Sequence, residues 1–260
     1  KQNMLKLEKL RQALIDHKVD AILITNGYNR RYMTGFTGSA GVALVSQTEA
    51  VFITDFRYME QAAEQVKDFR IAQHKATIFE EVATQAAVMG VKTIGFEKDT
   101  LVYGTYEAYK AAVKAEFVPI SGLIEKIRLI KSAEEINIIK VACEIADNAF
   151  SHILNFIKPG KTELDVSNEL EFFMRKQGAT SSSFDIIVAS GLRSALPHGV
   201  ATDKIIEKDN DKWDHPLADT ESVIKELNEY LDNLENNKTC ISQNLFMPYR
   251  IESNQKPLAK

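Results

Sequence analysis

Cysteine is scarce in this 260-residue chain: there are two, Cys143 and Cys240, far apart and without metal-ligand spacing around them. That excludes a disulfide framework and predicts a reducing compartment. Long apolar runs are missing as well, none approaching the roughly 18 residues a membrane-spanning helix needs. Neither sign of charge is in excess, since 32 Lys plus Arg face 36 Asp plus Glu for a net charge of −4. No nucleic-acid surface and no acidic-membrane anchor are therefore predicted, and the expected partner is a small molecule, a peptide or another subunit. The glycines Gly35, Gly38 and Gly41 lack the Lys-Ser/Thr ending of a phosphate-binding loop, which removes nucleotide binding. The segment Lys1–Leu10 is amphipathic and unlike a secretion signal, so the cytoplasm is the expected setting.

What is present is the composition of a globular protein, 45% hydrophobic and 26% charged, long enough for one to two domains. Leu5, Leu7, Leu10, Leu14 and Ile15 recur at helical spacing, and the apolar segment Ala21–Thr25 ends in the turn signal Asn26-Gly27. Val42–Val45 and Val51–Thr54 read as paired strands around a polar loop. From Tyr58 helices and strands alternate: a helix to Val66, a strand at Arg70–Gln73, a helix Ile78–Met89, a strand Thr93–Phe96, a helix Tyr103–Val113 and a strand Glu116–Ile120. This rhythm predicts an α/β domain over residues 1–122, a mixed sheet covered by helices.

Ser132 with Glu135 then has the form of a capping box, and Ile136, Ile139, Cys143, Ala146, Phe150 and Ile153 form a helical stripe that Pro159-Gly160 ends. Cys143 on that stripe reads as a core residue. Thr162-Glu163-Leu164-Asp165 caps a second helix, carried by Val166, Leu170, Phe173 and Met174 and stopped at Gly178. Phe184–Ala189 is predicted to be a buried strand. His17, His74 and His152 have no ligand-spaced companions and default to surface or capping roles.

The densest concentration of chemistry runs from Ser183 to Gly199 and closes on Pro197-His198-Gly199. Pro197 restricts the backbone before His198, and Gly199 permits close approach of a ligand or of other backbone. Such a histidine can move a proton near neutral pH, or it can be an ordinary loop residue. Asp55, Arg57 and Tyr58 read either as an ion pair with packing at a strand end or as a group reaching a neighbouring subunit's cleft.

The stretch Ser183–Gly199 resembles a motif of the proline-specific metallopeptidases, aminopeptidase P and prolidase, of the creatinase or pita-bread family. Asn29–Ser39, Thr54–Tyr58 and Lys126–Ser132 with Glu134-Glu135-Ile136 are similar to the same family, and the likeness covers roughly residues 1–209. It implies a creatinase-type N-terminal domain over 1–122 and the first part of a pita-bread α+β catalytic domain over 123–210. It implies Xaa-Pro peptides as substrates and, in complete members, two divalent ions, Mn or Co, that lower the pKa of bound water from about 15.7 toward about 7. By the same resemblance His198 is the catalytic candidate and no metal ligand, and Phe184 with His198 are the substrate-binding candidates.

After Ile205–Asn210 the chain departs from the family pattern. Asp211-Lys212-Trp213-Asp214-His215-Pro216 stands where the strand leading to the metal ligands is expected, so no metal ligand is assigned and the chain is expected to be inactive. Asp214, His215 and Asp219 read as a solvated loop and a helix cap, not as substitute ligands. The segment 211–260 carries one expected amphipathic helix over 220–235, with Val223, Leu227, Tyr230 and Leu234 along its seam. Strand edges left unpaired around Phe184–Val200 predict a homo-oligomer. The alternative to a peptidase is a non-catalytic protein that oligomerises or binds a partner through the first domain and the 223–234 helix.

Overall fold

A computed structural model describes residues 2–208. These residues form two compact units, the first running to Ile130 and the second beginning at Lys131. The expected helix at 220–235, with Asp214, His215, Asp219 and Cys240, lies outside the described residues.

The first unit opens with α1 (Gln2–Asp16), followed by β1 (Ala21–Ile24) and α2 (Gly27–Thr34). Of the expected apolar stripe on α1, Leu7, Leu10 and Leu14 are buried, whereas Leu5 and Ile15 are exposed. Asn26-Gly27 begins a helix instead of a simple turn. The Asn26 side chain accepts from the amides of Tyr28 (2.9 Å) and Asn29 (3.1 Å), satisfying donors that the first turn of α2 leaves over.

The hairpin of β2 (Val42–Ser46) and β3 (Ala50–Thr54) forms as predicted, with Val45 opposite Ala50. Then come α3 (Met59–Gln65), β4 (Arg70–Gln73), α4 (Ile78–Met89), β5 (Thr93–Glu97), α5 (Tyr103–Ala112) and β6 (Glu116–Ile120). The strands make one six-stranded sheet ordered β4-β3-β2-β1-β5-β6. Both pairings of β2, to β1 and to β3, are antiparallel, and the other three are parallel. Alternation along β1 sends Ile22 and Ile24 to one face, into a core with Leu10, Leu14, Phe36 and Phe52. Leu23 goes to the other, packing with Leu44, Val51, Ile53, Ile94 and Tyr109. The three central-left strands β1, β2 and β3 are buried throughout, which is why they read as continuous apolar runs.

The first compact unit runs to Ile130. The helix α6 (Leu123–Leu129) buries Leu123 and Ile124 in the same core as Leu10 and Ile22. A polar network ties it further. The Glu97 carboxylate at the end of β5 accepts from the Thr25 and Asn26 amides and from Asn29 Nδ2, each at 2.7 Å, and Arg128 donates to Asn29 Oδ1 at 2.8 Å.

In the second unit α7 (Ala133–Phe156) starts at the predicted capping box: Ser132 Oγ accepts from the Glu135 amide at 3.2 Å, and Glu135 Oε2 accepts from the Ser132 amide at 2.9 Å. α8 (Glu163–Lys176) follows. Two sequence-based expectations change here. The buried stripe of α7 is Ala142, Ile145, Ala149 and Ile153, so Cys143 is exposed, as are Ile136 and Phe150. Both stripes have helical spacing, and the one carrying small alanines admits α8, whose Met174 and Val166 pack against it. The predicted buried strand Phe184–Ala189 does not form. Among the described residues its ladder contact is one isolated bridge, Ile187 to Val200, and Phe184 and Ile187 are exposed. Burying a strand requires partners for its backbone N–H and C=O groups, and among the described residues this segment has no further ladder partner.

Candidate functional site

Glu163 is the first residue of α8, and its side chain is fully buried, as Val166 and Met174 are on the same helix. The preceding Thr162 caps the helix, its Oγ1 accepting from the Asp165 amide at 3.0 Å. The chain segment after residue 200 returns to this helix start: Glu163 and Leu164 donate their amides to the carbonyls of Lys204 and Thr202, each at 3.0 Å, and Ile206 donates to the Lys161 carbonyl at 2.8 Å.

Into this corner the Glu163 carboxylate gathers five donors. Oε1 accepts from the Ser190 amide at 2.7 Å and the Ser190 hydroxyl at 3.0 Å. Oε2 accepts from Arg193 Nε at 3.2 Å, the Thr202 amide at 3.1 Å and the Thr202 hydroxyl at 2.8 Å. Arg193 also donates Nη2 to the Val200 carbonyl at 2.8 Å, and Lys204 Nζ donates to Ser190 Oγ at 2.9 Å. Burial pushes this carboxyl's pKa up, yet the hydrogen bonds from Thr202 and Ser190 outweigh burial and bring it down to about 2. The charge is thus held permanently at neutral pH.

The loop so fastened contains the predicted site. A short 3₁₀ turn, Gly191–Ala195, leads to Pro197-His198-Gly199. Gly199 donates its amide to the Leu196 carbonyl (3.1 Å) and Val200 to that of His198 (2.9 Å). A Cβ on Gly199 would come within 2.9 Å of the Ala189 Cβ, which is the close approach expected of that glycine. His198 is exposed at the turn, and Phe184, the other substrate-binding candidate, is 65% exposed. Glu163 went unnoticed in the sequence, where Thr162-Glu163-Leu164-Asp165 reads only as a helix cap. The available signal was a second acidic residue in the capping segment that the capping box does not use.

Among the described residues no three His, Cys, Asp or Glu side chains converge as a metal site would require. The Glu163 carboxylate, saturated by protein donors, offers no free lone pair to a cation.

In the first unit Asp55 and Arg57 form a two-pronged ion pair, Nε to Oδ1 and Nη2 to Oδ2, both at 2.9 Å. The hydrogen bond from Arg57 brings the Asp55 carboxyl down to about 2. Tyr58 lies edge-on to Phe36 and shares a 2.8 Å hydrogen bond with Ser39. The glycine cluster has its own explanation: Arg30 donates to the carbonyls of Gly38 and Gly41, each at 2.6 Å, so the loop wraps a buried guanidinium and turns carbonyls inward. His152, expected in a surface or capping role, is half-buried, 2.6 Å from Glu169 Oε1 and stacked on Phe173.

Residues 6–130 match the Creatinase/Prolidase N-terminal domain, and residues 137–211 match Metallopeptidase family M24. Over these residues the chain belongs to the creatinase/prolidase group of M24 metallopeptidases. It is 57% identical over 204 residues to an uncharacterized peptidase, YqhT, of Bacillus subtilis, covering 78% of this chain and 58% of that protein. It is 37% identical over 207 residues to the Xaa-Pro dipeptidase of Pyrococcus horikoshii, covering 78% of this chain and 57% of that one. A solved Xaa-Pro dipeptidase from Bacillus anthracis superposes with a TM-score of 0.76 at 61% identity, covering 79% of this chain and 58% of that chain. The chain thus spans rather more than half the length of these relatives.

Proposed function

We propose that this chain carries the substrate-facing portion of an Xaa-Pro peptidase site, with His198 and Phe184 as the groups that meet the peptide. The observation that supports this reading most directly is the 57% identity to a peptidase, which runs through both units and includes the Pro197-His198-Gly199 turn. A peptide bond before proline has no N–H to donate, so recognition falls on its oxygen and on the proline ring. A donor such as the His198 imidazole is suited to the oxygen that becomes anionic during attack, and Phe184 to an apolar ring. In the complete family a divalent pair supplies the activated water. No metal ligand is assigned to this chain, and we propose that the chain as written binds substrate without hydrolysing it.

Two measurements on the purified full chain test this. Titration with an Xaa-Pro dipeptide is expected to shift the His198 imidazole NMR signals, and His198→Ala to reduce binding at least tenfold. With added manganese, hydrolysis is expected to stay at background, and elemental analysis alongside intact mass to find less than stoichiometric metal. Manganese-dependent turnover would overturn the inactivity, and absence of any dipeptide effect on His198 would overturn the substrate assignment.

The same proposal includes self-association and a cytoplasmic setting. Phe184, Leu192, Leu196 and Val200, all around the His198 loop, are each more than half exposed, a concentration of apolar surface that a monomer in water does not favour. Mass by light scattering is expected to rise with concentration.

A further inference from the structure

We infer that Glu163 is the positioning residue of the His198 loop: its buried carboxylate, by gathering Ser190, Arg193 and Thr202 from the two limbs of that loop, sets the place of the imidazole between them. The inference rests on the reading of His198 as the substrate-facing histidine. A buried carboxylate near a candidate histidine invites a role in proton transfer, but the geometry points elsewhere. Both oxygens are occupied by protein donors, two on Oε1 and three on Oε2, and none of these is His198. What the carboxylate does hold is the loop's base. Ser190 and Arg193 lie before the Pro197-His198-Gly199 turn and Thr202 after it, so one side chain on a helix terminus closes an otherwise irregular segment. Arg193 repeats the closure by reaching across to the Val200 carbonyl. Backbone hydrogen bonds return residues 202–206 to the start of α8 and one bridge joins Ile187 to Val200; to these the carboxylate adds a point at which donors from both limbs of the loop meet.

The test uses the full chain with isotope-labelled histidine, the His198 signal being assigned by its loss in His198→Ala. In Glu163→Gln one acceptor oxygen becomes an amino group facing donors. The expected result is at least tenfold faster hydrogen exchange at the Ser190 and Thr202 amides and a displaced or broadened His198 signal. Glu163→Asp, which keeps the charge, is expected to restore part of both. Ile145→Ala, in the α7 core away from the carboxylate, is expected to lower the melting temperature while leaving His198 in place. Should Glu163→Gln fail to fold, Thr202→Val, which deletes one donor and spares the helix, is expected to displace the His198 signal in the same direction. Retained Ser190 and Thr202 protection with an unmoved His198 signal would overturn the inference, as would an equal displacement in Ile145→Ala. Dipeptide titration reads the functional assignment separately: a wild-type His198 that ignores dipeptide but moves in Glu163→Gln leaves the positioning role standing and removes the substrate role.

Discussion

A carboxylate with a folded-state pKa of about 2, against an ordinary glutamate value of 4.5, makes the stability of the second unit sensitive to acid. Because the folded pKa lies below the unfolded one, the Glu163 contribution is fully present above about pH 4.5 and is lost as pH falls toward 2. Acid titration followed by circular dichroism is expected to show the loss in that window, and Glu163→Gln to abolish that part of the pH dependence. Removing the carboxylate altogether, as Glu163→Ala, leaves the Arg193 guanidinium and the Ser190 and Thr202 donors without their acceptor. The expected cost at neutral pH is roughly 3–5 kcal/mol, the scale for deleting one partner of a buried charged pair, read from chemical denaturation. Residue-scale features of this kind were poorly legible beforehand. His198 stood out because Pro and Gly flank it, whereas Glu163 resembles any acidic residue in a first helical turn until the loop is seen folding back onto it.

At the scale of elements, caps and periodicity announced themselves. The Ser132 capping box lies where Ser-x-x-Glu predicts it, and Ser132→Ala is expected to cost about 1 kcal/mol, measurable as a lower denaturation midpoint at unchanged slope. The strands of the first unit are equally plain, since β1, β2 and β3 are buried along their whole length. Phe52 on β3 is fully buried and its ring lies tilted against that of Phe36, centroids 4.6 Å apart, so Phe52→Ala is expected to remove about 3–5 kcal/mol from the first unit. Two elements were misjudged for a shared reason. α7 has two helically spaced apolar stripes, and Phe184–Ala189 has the composition of a strand, but burial is a property of what an element meets. Only the position of α8 selects the alanine-bearing stripe over the one with Cys143.

For the whole molecule the division at Ile130 is the main consequence. The first unit has a sheet with a core on each face, and α6 belongs to it through Leu123, Ile124 and the Asn29–Arg128 hydrogen bond. A fragment of residues 1–130 is expected to unfold cooperatively by itself, whereas one ending at residue 122 should expose the α1 core and lose several kcal/mol; thermal melts of the two fragments decide this. The second unit has smaller cores between α7 and α8, and its site loop is closed by hydrogen bonds more than by packing.

The amino-acid sequence alone determined the mixed α/β character of the first unit, its strands and helices, the capping boxes and the family, because periodicity, caps and contiguous motifs are local properties. The tertiary structure alone decided where the first unit ends, which stripe of α7 is covered, why Gly38 and Gly41 surround Arg30, and that Glu163 holds the His198 loop. Each of those depends on side chains meeting across tens of residues, such as Glu163 with Thr202 and Asn29 with Arg128, and spacing along a chain carries no record of such meetings.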